Sequence, residues 1–319
     1  PEALGELTKE YYTIAIAGVH GKSTTTAMIG LMMEKAGLDP TVIVGTKVAE
    51  WQNSNFRPGS GKFLVIEACE YDSSFLHYWP KIIVITNVDK EHLDYFGTFA
   101  NVKKAFKEFA KKLPKGGYLV ENTKENKKIK NILKVPGRHN VLNASMAFKV
   151  GKILGIPEKI ILKSLAEFRG TWRRFQIKQG MAGGKKITII SDYGHHPNEI
   201  KATLQAAKEK YPNKKIWCVF QPHQHQRTYY LFDDFVKVFR QAKADNIIIT
   251  DIYDVAGREV KIINREVSSE KLAKKINKKN IIYLPVDEAE RFVKENIKPG
   301  GVLISMGAGD IYDQVEKFL

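Results

Sequence analysis

Tyr11-Tyr12-Thr13-Ile14-Ala15-Ile16-Ala17, running straight into Gly18-Val19-His20-Gly21-Lys22-Ser23-Thr24, decides the fold. The first seven residues read as a strand buried on both faces. The run from Ser23 to Lys35, polar and then apolar, reads as a helix that stops at Gly37. Between strand and helix, glycines let the backbone turn tightly and present N–H groups to an anion. The helix N-terminus adds positive potential, Lys22 can reach outer phosphate oxygens and Ser23 can ligate Mg²⁺. Ile16 stands where the first glycine of the commoner G-x-x-x-x-G-K-[ST] pattern would fall, so the loop is the shorter G-x-x-G-K-S form. The strand before it, the helix after it and the four consecutive hydroxyl residues Ser23 to Thr26 separate it from a chance Gly-Lys-Ser. Gly18, His20, Gly21, Lys22, Ser23 and Thr24 are the expected phosphate contacts.

The same grammar spreads outward from this segment. Thr41–Val44, Phe63–Ile66 and Ile82–Thr86 read as strands, and Val102–Leu113 as a helix with Val102, Phe106, Phe109 and Leu113 on one face and five lysines on the rest. Near-continuous Ile/Val strands separated by helices imply a mostly parallel sheet covered on both faces. Asn140–Leu154 and Glu158–Phe168 read as helices. A second series follows, with strands at Lys186–Ser191, Lys215–Phe220, Ala244–Thr250, Ile281–Leu284 and Gly301–Ser305. Its helices fall at Pro197–Lys210, Leu231–Ala242, Glu270–Asn277 and Glu288–Ile297. The expected class is α/β in two domains, residues 1–168 and 169–319, with the boundary near Phe168–Thr171.

The length of 319 residues fits two domains at about 100–200 residues each. Hydrophobic residues at 43% and charged residues at 27% exclude a disordered or fibrous chain. Lys+Arg 51 against Asp+Glu 35 leaves 51 − 35 = +16, a charge suited to anionic ligands or to lysine-rich solvated faces. The basic stretches Lys103–Lys112, Lys124–Lys134 and Lys271–Lys279 carry apolar residues at helical spacing, so they read as solvated helix faces and no nucleic-acid partner is expected. The two cysteines, Cys69 and Cys218, lie in apolar runs, which excludes a disulfide framework and points to the cytoplasm. No stretch approaches the ~18 apolar residues of a membrane span, so no membrane partner is expected. The start at Pro1 has neither an initiating Met nor a signal-peptide pattern and reads as cut.

Two further segments end strands of the first sheet and would meet at its carboxyl edge, where open α/β sheets bind ligands. They are Val65-Ile66-Glu67-Ala68-Cys69-Glu70-Tyr71-Asp72 and Thr86-Asn87-Val88-Asp89-Lys90-Glu91-His92-Leu93-Asp94. Glu67 is placed to hold a Mg²⁺ ion that already contacts phosphate. His92 taken alone is a helix-start or core residue, because Mg²⁺ prefers oxygen ligands.

Together with Gly-Val-His-Gly-Lys-Ser-Thr-Thr-Thr from Gly18, these strings resemble the Mur ligases, ATP-dependent amide-forming enzymes of peptidoglycan synthesis. Gly137-Arg138-His139-Asn140-Val141-Leu142-Asn143-Ala144 belongs to the same resemblance. It continues through Arg173-Arg174-Phe175, Ser191-Asp192-Tyr193-Gly194-His195-His196-Pro197, Phe220-Gln221-Pro222-His223 and Ser305-Met306-Gly307-Ala308-Gly309-Asp310. The match covers nearly the whole chain in family order, and the last strings look like the branch that adds the first amino acid, L-alanine, to UDP-N-acetylmuramate. It implies a central P-loop ATPase domain followed by a C-terminal Rossmann-like domain, with ATP and Mg²⁺ as cofactors. Lys22 would contact the outer phosphates, Ser23 and Glu67 would bind Mg²⁺, and His92 would take part in a second metal site. His139 and Asn140 would lie at the adenine with Asn143 nearby, and Arg173 and Arg174 at the domain junction near the phosphates. Asp192, His195, His196, His223 and Arg227 would line the reaction centre and amino-acid pocket, with His195 the general-base candidate. The two domains would close on each other to exclude water.

Zinc is the competing reading of the histidine-rich set. Against it, adjacent His195 and His196 point apart on an extended backbone, no cysteine is close, and Pro197 with Glu199 reads as a helix start. Two departures from the family pattern matter. Gln224 stands where the alanine-adding branch often has arginine or threonine, and an amide cannot grip a carboxylate in two places as a guanidinium does, so part of that grip would fall to Arg227. The family's N-terminal domain, which binds the UDP-sugar, has no counterpart in the sequence and would have to be supplied in cis or in trans. A muropeptide-recycling or folate-glutamate ligase, and a basic nucleotide-binding module without ligase chemistry, are the rival functions.

Overall fold

The computed structural model describes residues 1–255, 263 and 266–318. They form two compact units, one from Pro1 to Trp172 and one beginning at Arg173. The first is a six-stranded sheet, ordered β3-β2-β4-β1-β5-β6. Its strands are β1 (Tyr12–Ala17), β2 (Thr41–Val48), β3 (Ser54–Arg57), β4 (Phe63–Glu67), β5 (Ile82–Ile85) and β6 (Tyr118–Val120). Parallel pairing joins β1 to β4 and β5, β2 to β4, and β5 to β6, while β3 runs antiparallel to β2. From Ile14 to Ala17 every β1 side chain is fully buried, which is why that stretch is apolar without alternation.

Each face of this sheet carries its own core. On one, the helix Lys22–Lys35 is covered by Arg138–Ile153 and Glu158–Glu167, with Met28, Ile29, Met32, Val150 and Ile161 buried together. On the other, Phe99–Ala110 buries Val102, Phe106 and Phe109, and Phe75 stacks on Phe109 with ring centres 4.5 Å apart. Thr98 opens that helix by accepting the Asn101 N–H, so it begins a turn earlier than its apolar periodicity predicts. The unit also runs past Phe168. Trp172 donates its N–H to Lys47 O at 3.0 Å and accepts from the Thr46 hydroxyl at 3.1 Å, tying it to the end of β2.

The second unit is a six-stranded sheet ordered β11-β10-β9-β12-β8-β7. Its strands are β7 (Gln176–Ala182), β8 (Lys185–Asp192), β9 (Ile216–Phe220), β10 (Asn246–Ile249), β11 (Ile281–Tyr283) and β12 (Val302–Met306). All pair in parallel except β7, which forms an antiparallel hairpin with β8. The sequence reading lacks β7 because Gln-Ile-Lys-Gln-Gly-Met-Ala has no Ile/Val run; as an edge strand it mostly alternates between exposed and partly buried residues. Edge position and short length hide β3 and β6 in the same way. Cys218 is buried within β9, whereas Cys69 is exposed just beyond β4; both are free thiols. Among the described residues, no helix is long and apolar enough to cross a membrane.

Replacing Phe109 by Ala should lower the unfolding free energy by about 3–5 kcal/mol, because it removes a fully buried ring and leaves a cavity under Phe75. Urea denaturation followed by circular dichroism measures this; a loss below about 1 kcal/mol would show that the site collapses without cost.

Candidate active site

In the first unit, β1, β4 and β5 are adjacent strands whose carboxyl ends deliver Gly18, Ala68 and Thr86 to one edge. The loop after β1 is braced from the segment after β5. Asn87 accepts the His20 N–H at 3.0 Å and donates to His20 O at 2.8 Å, while the Thr86 hydroxyl donates to the same carbonyl at 2.6 Å. The His20 ring lies 3.2 Å from Asp89. Gly18 (φ +129°) and Gly21 (φ +82°) take conformations that L side chains rarely adopt, and neither has room for one. A Cβ would lie 2.0 Å from Thr86 Oγ1 at Gly18 and 2.4 Å from Asn143 Oδ1 at Gly21.

Lys22 opens the helix Lys22–Lys35 with Gly21 as its N-cap. Its ammonium donates to Gly18 O at 2.6 Å and to both oxygens of Glu70, at 2.9 and 3.2 Å. Glu70 is 1% exposed and Lys22 14%. Burial disfavours the charged ammonium, but the Glu70 and Glu67 carboxylates outweigh it and hold Lys22 above its ordinary value. Glu67 is anchored differently, accepting the Gly45 N–H at 2.7 Å. The His92 ring packs against Tyr71 at 4.8 Å, with Nε2 3.8 Å from Glu70. His92 also heads the short helix Leu93–Phe96, with φ +52°.

Ser23 (4% exposed) and Thr24 (6%) follow at the helix start. The Ser23 hydroxyl and the Glu67 carboxylate are hard oxygen donors of the kind Mg²⁺ takes, so these residues fit that ion. His139, Asn140 and Asn143 lie in the first turns of the helix Arg138–Ile153. Asn140 donates to Pro136 O at 2.7 Å, and Asn143 sits against Gly21, which places it beside the Gly18–Thr24 loop.

In the second unit, β8, β12 and β9 are neighbours, and their carboxyl ends bring Asp192, Gly307 and Gln221 to one edge. Asp192 accepts the Phe175 and Gly194 N–H groups, each at 2.8 Å. Burial pushes its carboxyl above the ordinary value, with Arg174 and the two N–H groups opposing. Arg173 is 5% exposed; its guanidinium donates to Gly307 O and Gly309 O and lies 5.1 Å from the rings of Tyr193 and Tyr312. Within this unit it therefore braces the turn after β12. Arg174 lies 3.6 Å from Glu199 and over Tyr193.

His196 caps the helix Pro197–Lys210 in a capping box with Glu199, and Pro197 takes the first helical position. His195 Nδ1 is 3.1 Å from Tyr193 O. A carbonyl only accepts, so Nδ1 carries the proton there and Nε2 is the basic nitrogen of the neutral ring. His223 has the opposite arrangement, because Arg227 donates to its Nδ1 at 3.0 Å and so assigns the proton to Nε2. The rings of His195 and His223 are 5.9 Å apart, and His223 stacks on Tyr253. Gln224 has φ +70° and donates its N–H to Tyr253 O at 2.9 Å, so its backbone helps set the loop.

The sequence assigns no role to Glu70, Thr86 or Tyr253. Glu70 follows Glu67 by three residues in one quoted string, but spacing alone does not say which carboxylate meets Lys22. Tyr253 lies beyond a strand end without any motif around it.

A Mur ligase middle domain model matches residues 16–134, and a Mur ligase, glutamate ligase domain model matches residues 173–309. UDP-N-acetylmuramate–L-alanine ligases from Clostridium botulinum (strain Okra / Type B1) and Clostridium tetani (strain Massachusetts / E88) are each 39% identical to the chain. These matches cover 99% and 97% of this chain and 77% and 76% of those proteins. The crystal structure of UDP-N-acetylmuramate–alanine ligase from Thermotoga maritima is 26% identical, with a TM-score of 0.76 over 99% of this chain and 77% of that one.

Substituting Gly18 by Ala should destabilise the loop by about 1–3 kcal/mol, through a strained φ and the clash with Thr86, and should reduce nucleotide binding in step. Thermal melting and nucleotide titration read the two effects; unchanged values would refute the close approach. For Asp192 the folded carboxyl lies above its unfolded value near 3.8. Its contribution to stability is then fully present below that pH and is lost as pH rises through the folded value. The stability of the parent protein relative to Asp192→Asn should therefore fall as pH rises above about 4; denaturant titrations showing a rise would reverse the assignment.

Proposed function

The chain belongs to the Mur ligase family, and from that premise we propose that it joins L-alanine to the lactyl carboxylate of UDP-N-acetylmuramate in a cytoplasmic, ATP-driven, ADP-forming step of peptidoglycan precursor synthesis. One observation carries this reading: the Gly18–Thr24 loop, with Lys22 at its mouth, opens at the carboxyl edge of the first sheet in a chain that aligns over 99% of its length with alanine-adding enzymes.

The substrate carboxylate attacks the γ-phosphoryl group, forming an acyl phosphate and releasing ADP. The amine of alanine then attacks the activated carbonyl, and phosphate leaves. Both partners in the first step are anions, so the protein's contribution is neutralisation and alignment. Lys22 and the N–H groups at the head of its helix offset charge on the phosphoryl oxygens. Ser23 and Glu67 would hold Mg²⁺, which when bound supplies further neutralisation, and His92 belongs with a second such site. His139, Asn140 and Asn143 serve the nucleotide, with Asn143 at its phosphate end.

In the second unit, Asp192 orders the backbone of Phe175 and Gly194, Arg173 braces the Gly307–Gly309 turn and Arg174 offers a cation to phosphate. His196 fixes the helix start beside His195. With Nδ1 committed to Tyr193 O, His195 accepts the ammonium proton of alanine at Nε2. His223 Nε2–H and Arg227 donate to the amino-acid carboxylate.

Phosphate release, assayed with UDP-N-acetylmuramate against a panel of amino acids, with and without an added N-terminal domain, should require ATP and both acceptor substrates and be greatest with L-alanine. Lys22→Ala should lower the rate about 10²–10³-fold. Release with another acceptor would select a rival ligase, salt-sensitive polynucleotide binding without turnover would select the basic module, and full activity of Lys22→Ala would overturn the loop assignment.

A further inference from the structure

The chemistry above leaves Glu70 without a role, although it is the carboxylate nearest the loop cation. It is 1% exposed, and both of its oxygens take hydrogen bonds from Lys22. Glu67, three residues earlier, is held instead by the Gly45 N–H. The Lys22 ammonium has three donors; here they are spent on Glu70 and on the carbonyls of Gly18 and Val19, which fold the side chain back over its own loop. If Lys22 turned to a phosphate, Glu70 would be left as a buried carboxylate with only the His92 ring near it, at 3.8 Å, beside an incoming polyanion. Removing one partner of a buried pair is strongly unfavourable unless another cation takes its place.

We propose that Glu70 is a positioning residue that couples nucleotide binding to the divalent cation. It retains Lys22 against nucleoside triphosphate alone and releases it to the phosphates when a divalent cation replaces the ammonium as its countercharge. The proposal rests on the reading that this loop binds ATP. It assigns the loop's discrimination between metal-free and metal-bound triphosphate to an acid–base pair within the first unit.

Calorimetric titration of the full chain with ATP, once in excess EDTA and once in Mg²⁺, tests it using Glu70→Gln, Lys22→Ala and the double variant, each checked for folding by thermal melting. Glu70→Gln should bind metal-free ATP about tenfold more tightly than the parent, since it removes a full charge at close range and frees Lys22, and the preference for Mg²⁺ should shrink by a similar factor. Tighter binding cannot arise from misfolding. In the Lys22→Ala background the same substitution should give a smaller gain, because only the carboxylate's direct repulsion of the polyanion is then removed and there is no Lys22 to free. Unchanged or weaker metal-free binding by folded Glu70→Gln overturns the proposal, as does a gain that persists in full without Lys22. If the parent fails to bind ATP even with Mg²⁺, the nucleotide reading itself falls and takes the proposal with it.

Discussion

The first unit depends on burial of β1 along both faces and both edges. With β4 and β5 hydrogen-bonded on either side and a core above and below, this strand has no polar freedom along its length. The chain can turn to meet a charged ligand only where β1 ends. There the backbone must reverse within a few residues, pass close to Thr86 and Asn87, and start a helix that is itself buried on nearly every side. Glycine at positions 18 and 21 is the consequence, and the row of N–H groups at the helix start follows from the same turn.

The carboxyl edges of the two units use their polar groups differently. In the first, charges are balanced against each other: Lys22 against Glu70, with Glu67 and His92 around them. In the second, hydrogen-bond partners set which way each group faces. Asp192 accepts a backbone N–H on each oxygen, His195 is aligned by a carbonyl, and His223 is aligned by a guanidinium. The first arrangement suits neutralising a triphosphate. The second suits a proton transfer, where the identity of the protonated nitrogen decides whether a ring can accept.

Much of the architecture was legible because buried parallel strands are written as Ile/Val runs, as in Ile82–Ile85 and Ile216–Phe220, and because amphipathic helices such as Phe99–Ala110 repeat their apolar residues at helical spacing. The strands that escaped are those the core does not write. β7 is polar and at an edge, and β3 and β6 are short, with few buried positions. Helix starts set by a cap, such as Thr98, were displaced because hydrophobic periodicity does not mark a cap.

At the candidate site, local motifs carry their own geometry: the glycines of the Gly18–Thr24 loop and the Pro197–Glu199 helix start are properties of a few consecutive residues. Pairings across strands are not. The contact between Lys22 and Glu70 spans 48 residues, and the guanidinium of Arg173 reaches carbonyls more than 130 residues away. The sequence by itself determined which strand ends carry charged and imidazole groups and that a Gly-Lys-Ser turn joins β1 to its helix. Only the tertiary structure decided that Glu70 is the countercharge of Lys22 and that His195 and His223 carry opposite ring protons. Those outcomes depend on which strands lie side by side, and that order is set by packing of the whole sheet.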